Sequence, residues 1–366
     1  MNNNRIASFD GLRGIAAFYV VAFHCFFMLP APNLHYPAQY FLGTFFKYGW
    51  LGVHLFFIIS GFVISFTLYK YNNVKQFMIA RFARLYPTYW AAIIFSAILT
   101  LLLHKQLNFS LYLTNFLMFQ QLLHVTNISG VFWTLSFELT FYVIAMTIFY
   151  FGYFSKHKLF IIWGAVTLAW QIMSYIGYVH PGTIMSKLGY FLILQFSPLF
   201  IFGVYLHKAF NYGWNKSFVL MMLAMVTIFI ALLPANSAPN YNLSTCRILL
   251  GVIFMLSAFA TRFPENKFLT SKVLVFFGKI SYSWYLIHLV TAHFIFNSLS
   301  QYREIIYAPF VSFFISIFFS ILFTKYIERP SHNFVLRVFK MKKRSTTGNE
   351  SINTFPSHDQ LGYNDR

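Results

Sequence analysis

Ten apolar runs, each long enough to cross a bilayer, constrain this chain more than any other feature. They lie at 11–29, 50–69, 87–104, 131–153, 158–178, 187–207, 217–234, 246–261, 279–299 and 306–327. About twenty apolar residues span a hydrocarbon core as a helix, and the shortest run meets that need only marginally. No water is present there to satisfy a backbone N–H or C=O, so a run buried in lipid must close its own hydrogen bonds. The sequence therefore predicts an all-α, polytopic membrane protein of about ten helices. A chain that is 58% hydrophobic and 10% charged has no soluble alternative.

The net charge of +19 would suit a nucleic-acid binder if the cations were clustered. They are instead scattered between the apolar runs, and topology accounts for them. With ten spans, 22 of the 27 lysines and arginines fall on one side. The positive-inside rule puts that side, with both termini, in the cytoplasm. No nucleic-acid partner is expected. The first run has the charge-then-apolar layout of a signal peptide but lacks a small-residue cleavage pattern, so it reads as a retained helix. The stretch 111–124 is apolar but short and studded with polar residues, which predicts a re-entrant or interfacial piece rather than another span. Residues 1–338 form the membrane domain, and the polar tail 339–366 is expected to be disordered. Cys25 and Cys246 make neither a disulfide framework nor a zinc pattern, so no metal is expected. Nothing in the sequence sets an oligomeric state.

The polar residues inside the apolar runs are few, and an ionisable group at membrane depth is a functional candidate. Asp10 suits the N-cap of the first run. Arg13 and His24 are eleven residues apart, about three turns, so they share one helix face some 16 Å apart along the axis. Glu138 is the one acid inside a span. It lies about 9 Å from its helix start, at a depth comparable with His24. A histidine and a carboxylate so placed suit a general base with an orienting or proton-storing partner, although a structural polar pair would look the same. Tyr142 follows Glu138 by one turn and shares its face. Ser281, Tyr285 and His288 stack on one face of the ninth run, where interior packing is an equal alternative. Ser60–Gly61 in the second run permits close helix approach, and His54 stands near its outer end. Arg81 and Arg84 are one turn apart on a short cytoplasmic piece broken by Pro87. Paired arginines suit phosphate groups, though topology and lipid headgroups also use them.

The pieces FDGLRGIAAFYVVAFH, GVHLFFIISGFVIS, RFARLYP, WTLSFELTFY, ISYSWYLIHL and IERP occur in that order between residue 9 and about 330. In that order they resemble the acyltransferase-3 family, bacterial integral-membrane O-acyltransferases that modify surface carbohydrates. The resemblance implies a ten-helix domain in the inner membrane. It would take an acyl group from cytosolic acyl-CoA, commonly acetyl-CoA, and pass it to a sugar hydroxyl on the outer face. The partners would be acyl-CoA, a carbohydrate acceptor and membrane lipids, with no tightly bound cofactor. The family's catalytic histidine falls on His24, its acyl-CoA arginines on Arg13, Arg81 and Arg84, and its acid on Glu138. Two features depart from the pattern. Ala80 replaces one member of the usual double arginine, and no extracytoplasmic hydrolase-like domain follows the last helix, as in the single-domain type.

His24 is then the expected base on the acceptor hydroxyl, with Glu138 orienting it, although an acyl-histidine is also open. Ser60, Tyr142 or Tyr285 would donate to the oxyanion, and His288 would join the substrate site. The competing reading is a secondary transporter that moves a sugar or couples protons through His24 and Glu138. Against it, the chain has no internal repeat and no matched pair of broken helices. A membrane binding protein without activity is the third option.

Overall fold

The computed structural model describes residues 6–29, 37–71, 73–123, 125–154, 156–180, 182–231, 241–300, 302 and 306–340, and among these no strand occurs. The helices run α1 (Ala7–Phe23), α2 (Pro37–Phe46), α3 (Gly52–Tyr71), α4 (Val74–Leu102), α5 (Phe109–Asn115), α6 (Trp133–Tyr150) and α7 (His157–Tyr175). They continue as α8 (Ile184–Phe191), α9 (Ser197–Tyr212), α10 (Lys216–Ala231), α11 (Leu243–Arg262), α12 (Lys272–Leu299), α13 (Ala308–Phe323) and α14 (Arg329–Val338).

Seven helical stretches are long and apolar enough to cross a membrane. They are Ala7–Met28, Phe41–Tyr71, Val74–Leu102, Trp133–Tyr150, Leu243–Arg262, Lys272–Leu299 and Ala308–Val338. The chain is a multi-pass, all-α membrane protein. The other three expected spans are not among these seven. The run 158–178 forms α7, the described part of 217–234 lies in α10, and 187–207 is divided between α8 and α9. The expected disordered tail lies outside the described residues beyond Lys340.

The centre of the bundle is made by α1, α3, α9 and α12, with α1 crossing both α3 and α12, and α3 crossing α9. Glycine decides how close the crossings come. A Cβ on Gly278 of α12 would stand 1.9 Å from the Asp10 carbonyl of α1, and one on Gly61 of α3 would stand 2.2 Å from the Phe200 carbonyl of α9. Two backbones can approach that closely only where no side chain intervenes. Buried aromatic and aliphatic side chains fill the remainder, with Leu12, Val20, Ile58, Phe200 and Leu286 all fully enclosed.

Local structure departs from the sequence expectation in two places. Helix α1 begins at Ala7 with Ile6 at its cap, so Asp10 is not the N-cap. It is a buried first-turn acid 4.0 Å from Arg13, where it complements the positive end of the helix. Pro87 does not break the chain, because α4 runs continuously through it and carries Arg81 and Arg84 on the spanning helix itself. Within a helix bundle the neighbours can compensate for the bond that proline removes. The segment after α4, in line with the sequence expectation, is not a span. There α5 and the following turns fold back on α4, with buried Asn115 donating to the Leu111 and Thr126 carbonyls at 2.9 and 3.0 Å.

Two π-turns interrupt helices that would otherwise be regular. The first, His24–Met28, continues α1, and the second, Thr324–Glu328, joins α13 to α14. A π-turn adds a residue to one turn and so rotates the side chains at its ends, which is why such turns concentrate at functional positions.

Candidate active site

Two cavities lie between the central helices. The smaller, about 80 Å³, is lined by Arg13 from α1, Ser60 from α3, Arg81 and Arg84 from α4, Glu138 and Tyr142 from α6, and Tyr282 from α12. The larger, about 410 Å³, opens toward the other end of α1, and its walls include His24, Trp50, His54, Trp133, Trp170 and Gln171. Val53 and Tyr285 line both, so a single layer of side chains separates them. Tyr285 is held across that partition. Its hydroxyl donates to the Val131 carbonyl at 3.0 Å and lies 2.7 Å from the Thr134 hydroxyl.

The smaller cavity is strongly cationic. Arg81 donates from Nη2 to the Thr67 hydroxyl at 2.6 Å, and its plane lies beside the Phe77 and Tyr142 rings at 5.7 and 5.8 Å. Its Nε is buried and makes no hydrogen bond. Arg84 is paired with the buried carboxylate of Glu328, whose second oxygen accepts from Ser283 at 2.6 Å. Glu138 lines the same cavity as the three arginines, and its Oε1 accepts from both Ser60, at 2.6 Å, and Tyr142.

His24 begins the first π-turn, at the wall of the larger cavity. Its Nδ1 lies 2.7 Å from the Val20 carbonyl and 3.2 Å from Nε2 of His288 on α12. His288 is fully enclosed, and its own Nδ1 faces the carbonyls of Trp284 and Tyr285 at 3.0 and 2.9 Å.

A family model for the acyltransferase domain matches residues 6–328, nearly the whole chain. The chain belongs to the acyltransferase-3 family. A protein of Acidianus two-tailed virus, provisionally named an acetyltransferase, is 27% identical over 291 residues, covering 76% of this chain and 81% of the relative. A Staphylococcus aureus protein, provisionally named an O-acetyltransferase, is 24% identical over 369 residues, covering 89% of this chain and 57% of its own length. This chain thus spans a little over half of that relative. A peptidoglycan O-acetyltransferase of Listeria monocytogenes is 31% identical over 108 residues, which is 28% of this chain and 15% of the relative. No solved structure matches. Membership places this chain among the membrane acyltransferases, and two of these three relatives are named for transfer to oxygen.

For this member of the acyltransferase-3 family, the sequence expectations sort cleanly onto the two cavities. Arg13, Arg81, Arg84, Ser60, Glu138 and Tyr142 come together at the smaller one, His24 at the larger, and Tyr285 at the partition. Two expected relations are corrected. Glu138 is not bonded to His24, because its oxygen is engaged by Ser60 and Tyr142 at the other cavity. His288 lines neither cavity and stands behind His24 instead of at a substrate wall. The Ser60, Tyr142 and Tyr285 hydroxyls are each given to a protein acceptor, so none offers a free O–H to an oxyanion without moving.

Sequence reasoning missed Glu328, which stands just past the last apolar run. The second π-turn draws it inside the bundle. It also passed over Trp50 and Gln171, whose Nε1 and Oε1 are buried without partners beside the larger cavity. Among the described residues no group of three potential ligands could hold a metal ion.

Proposed function

We propose that this acyltransferase carries an acyl group, acetyl in the first instance, from cytosolic acyl-CoA to a hydroxyl of a surface polysaccharide or its lipid-linked precursor. One observation carries the reading. The arginine-lined cavity and the histidine-lined cavity meet at the same two side chains, Val53 and Tyr285. A donor bound on one side and an acceptor bound on the other would therefore meet across one residue layer. The cation bias of the loops supports a cytoplasmic Arg13 end, and the reading takes the membrane to be the bacterial inner membrane.

Arg81 and Arg13 meet the phosphates of the coenzyme, and the unpaired Nε of Arg81 supports an anionic ligand there. Arg84 already carries a counter-ion, so phosphate competes with Glu328 for it. The thioester end reaches past Tyr285 toward His24. His24 takes the proton from the acceptor hydroxyl as its oxygen attacks the thioester carbonyl. The tetrahedral intermediate then collapses, the C–S bond breaks, and the departing thiolate recovers that proton. On the acceptor side, the unpaired Trp50 Nε1 and Gln171 Oε1 supply a donor and an acceptor suited to a hydroxylated ligand.

The test uses purified protein in nanodiscs with acetyl-CoA and polysaccharide from the host surface, following free coenzyme A and acetylated glycan. Both should accumulate with the wild type and neither with His24→Ala, provided the variant keeps its normal thermal unfolding. Full turnover by a folded His24→Ala protein would overturn the base role. Solute movement without thioester consumption would favour the transporter instead.

A further inference from the structure

The imidazole pair between α1 and α12 carries protonation information, because every neighbour of its inner nitrogens is known. His288 Nδ1 stands 3.0 and 2.9 Å from the Trp284 and Tyr285 carbonyls, which can only accept. That nitrogen therefore bears the hydrogen, and neutral His288 presents a bare lone pair at Nε2. The lone pair points at His24 Nδ1, 3.2 Å away, and the other neighbour of that atom is the Val20 carbonyl at 2.7 Å. Two acceptors around one ring nitrogen require it to be the donor. His24 Nε2 is then left unprotonated.

We infer that His288 is the positioning residue of the catalytic imidazole: it accepts the Nδ1 hydrogen of His24 and so keeps the basic lone pair on Nε2. The assignment rests on the acyl-transfer reading for its purpose, though not for its geometry. It gives His288 the place that the sequence suggested for Glu138, whose carboxylate is engaged at the other cavity. During transfer the acceptor proton moves to His24 Nε2 as the new C–O bond forms. The resulting imidazolium keeps its Nδ1–H between the Val20 carbonyl and His288 Nε2. When the C–S bond breaks, the thiolate takes the proton from Nε2, and the pair returns to its starting state. A partner that accepts a hydrogen bond strengthens as the ring becomes charged, so its contribution falls on the chemical step.

The π-turn is part of the same device. It starts at His24, with the Leu29 N–H donating to the His24 carbonyl at 3.1 Å. The opposing ring rides on α12, which Gly278 and Gly14 allow to lie directly against α1. A rigid crossing sets the distance between the two imidazoles.

Nitrogen-15 NMR of the full chain, histidine-labelled and held in lipid nanodiscs, tests this directly. His24→Asn and His288→Asn variants identify the two signals. Both residues should show a protonated Nδ1 and a bare Nε2. A hydrogen on Nε2 of either neutral ring overturns the inference, whatever the activity. The kinetic arm compares His288→Leu with His288→Gln, whose amide oxygen can replace the lone pair. His288→Leu should lower kcat for coenzyme A release about tenfold or more at unchanged KM for acetyl-CoA. His288→Gln should recover much of it. A folded Leu variant with wild-type kcat, or one altered only in KM, contradicts the role. If the wild type never consumes acetyl-CoA, the acyl-transfer reading fails while the ring assignment still stands on its spectrum.

Discussion

Glu328 shows how far a single residue can be read from sequence. Two residues before a proline and just past the last apolar run, it has the setting of a solvated helix-end acid. It is instead buried, paired with Arg84 and bonded to Ser283, because a π-turn re-aims it. That extra residue leaves no periodic signal. His24, by contrast, was legible because a lone imidazole deep in an apolar run has no inexpensive explanation. Glu138 stood out for the same reason, but depth along two helices does not say which neighbour each faces. Removing one member of a buried ion pair strands the other charge. Glu328→Gln should therefore destabilise the protein by about 3 kcal/mol, the lower end for such pairs because Arg84 is partly exposed. Chemical denaturation in detergent would measure it, and Arg84→Met with Glu328→Met should recover most of the loss. Arg81 has no such counter-ion among the described residues, only the Thr67 hydroxyl and the two rings. Arg81→Ala should raise KM for acetyl-CoA severalfold while kcat changes little, which steady-state coenzyme A release would show.

At the scale of helices, apolar length was the dependable signal, and breaks were not. Proline at 87 looked like a boundary, yet α4 passes through it and packs against α3, α12 and α14. The run 187–207 looked continuous, yet it is divided between α8 and α9, with Ile193 in the left-handed region at φ 47°. Hydropathy does not report such a turn. The small residues around Gly61 did indicate close approach, and α3 does cross α9 there. The same logic makes α1 and α12 sensitive. Gly278→Ala would place a methyl 1.9 Å from a backbone oxygen, and backbone cannot give way as a side chain can. A cost at the upper end of overpacking, about 3 kcal/mol, is expected, with loss of the His24–His288 contact. Gly251 on α11 has nothing within 4 Å of a Cβ, so Gly251→Ala should be neutral or slightly stabilising. Thermal unfolding of the two variants side by side checks the contrast.

For the whole molecule, the fold class and the family followed from the order of the apolar runs and their motifs. The pairing of two cavities did not, because it depends on how seven helices meet. Of the ten expected spans, seven are long and apolar enough to cross, and α7, α8–α9 and α10 make up the remaining part of the bundle. The partition at Tyr285 gives the architecture its purpose, since it separates a cationic compartment from an aromatic one. Tyr285→Ala should open that wall, raising coenzyme A release in the absence of glycan and lowering the yield of acetylated product per thioester consumed. The central claim is that donor and acceptor approach from opposite faces. It is tested most directly in proteoliposomes of known orientation, with radiolabelled acetyl-CoA confined to one side and glycan to the other. The account predicts acetylated glycan only when acetyl-CoA is offered at the Arg13 face. Product formed only when both substrates share one side would contradict it.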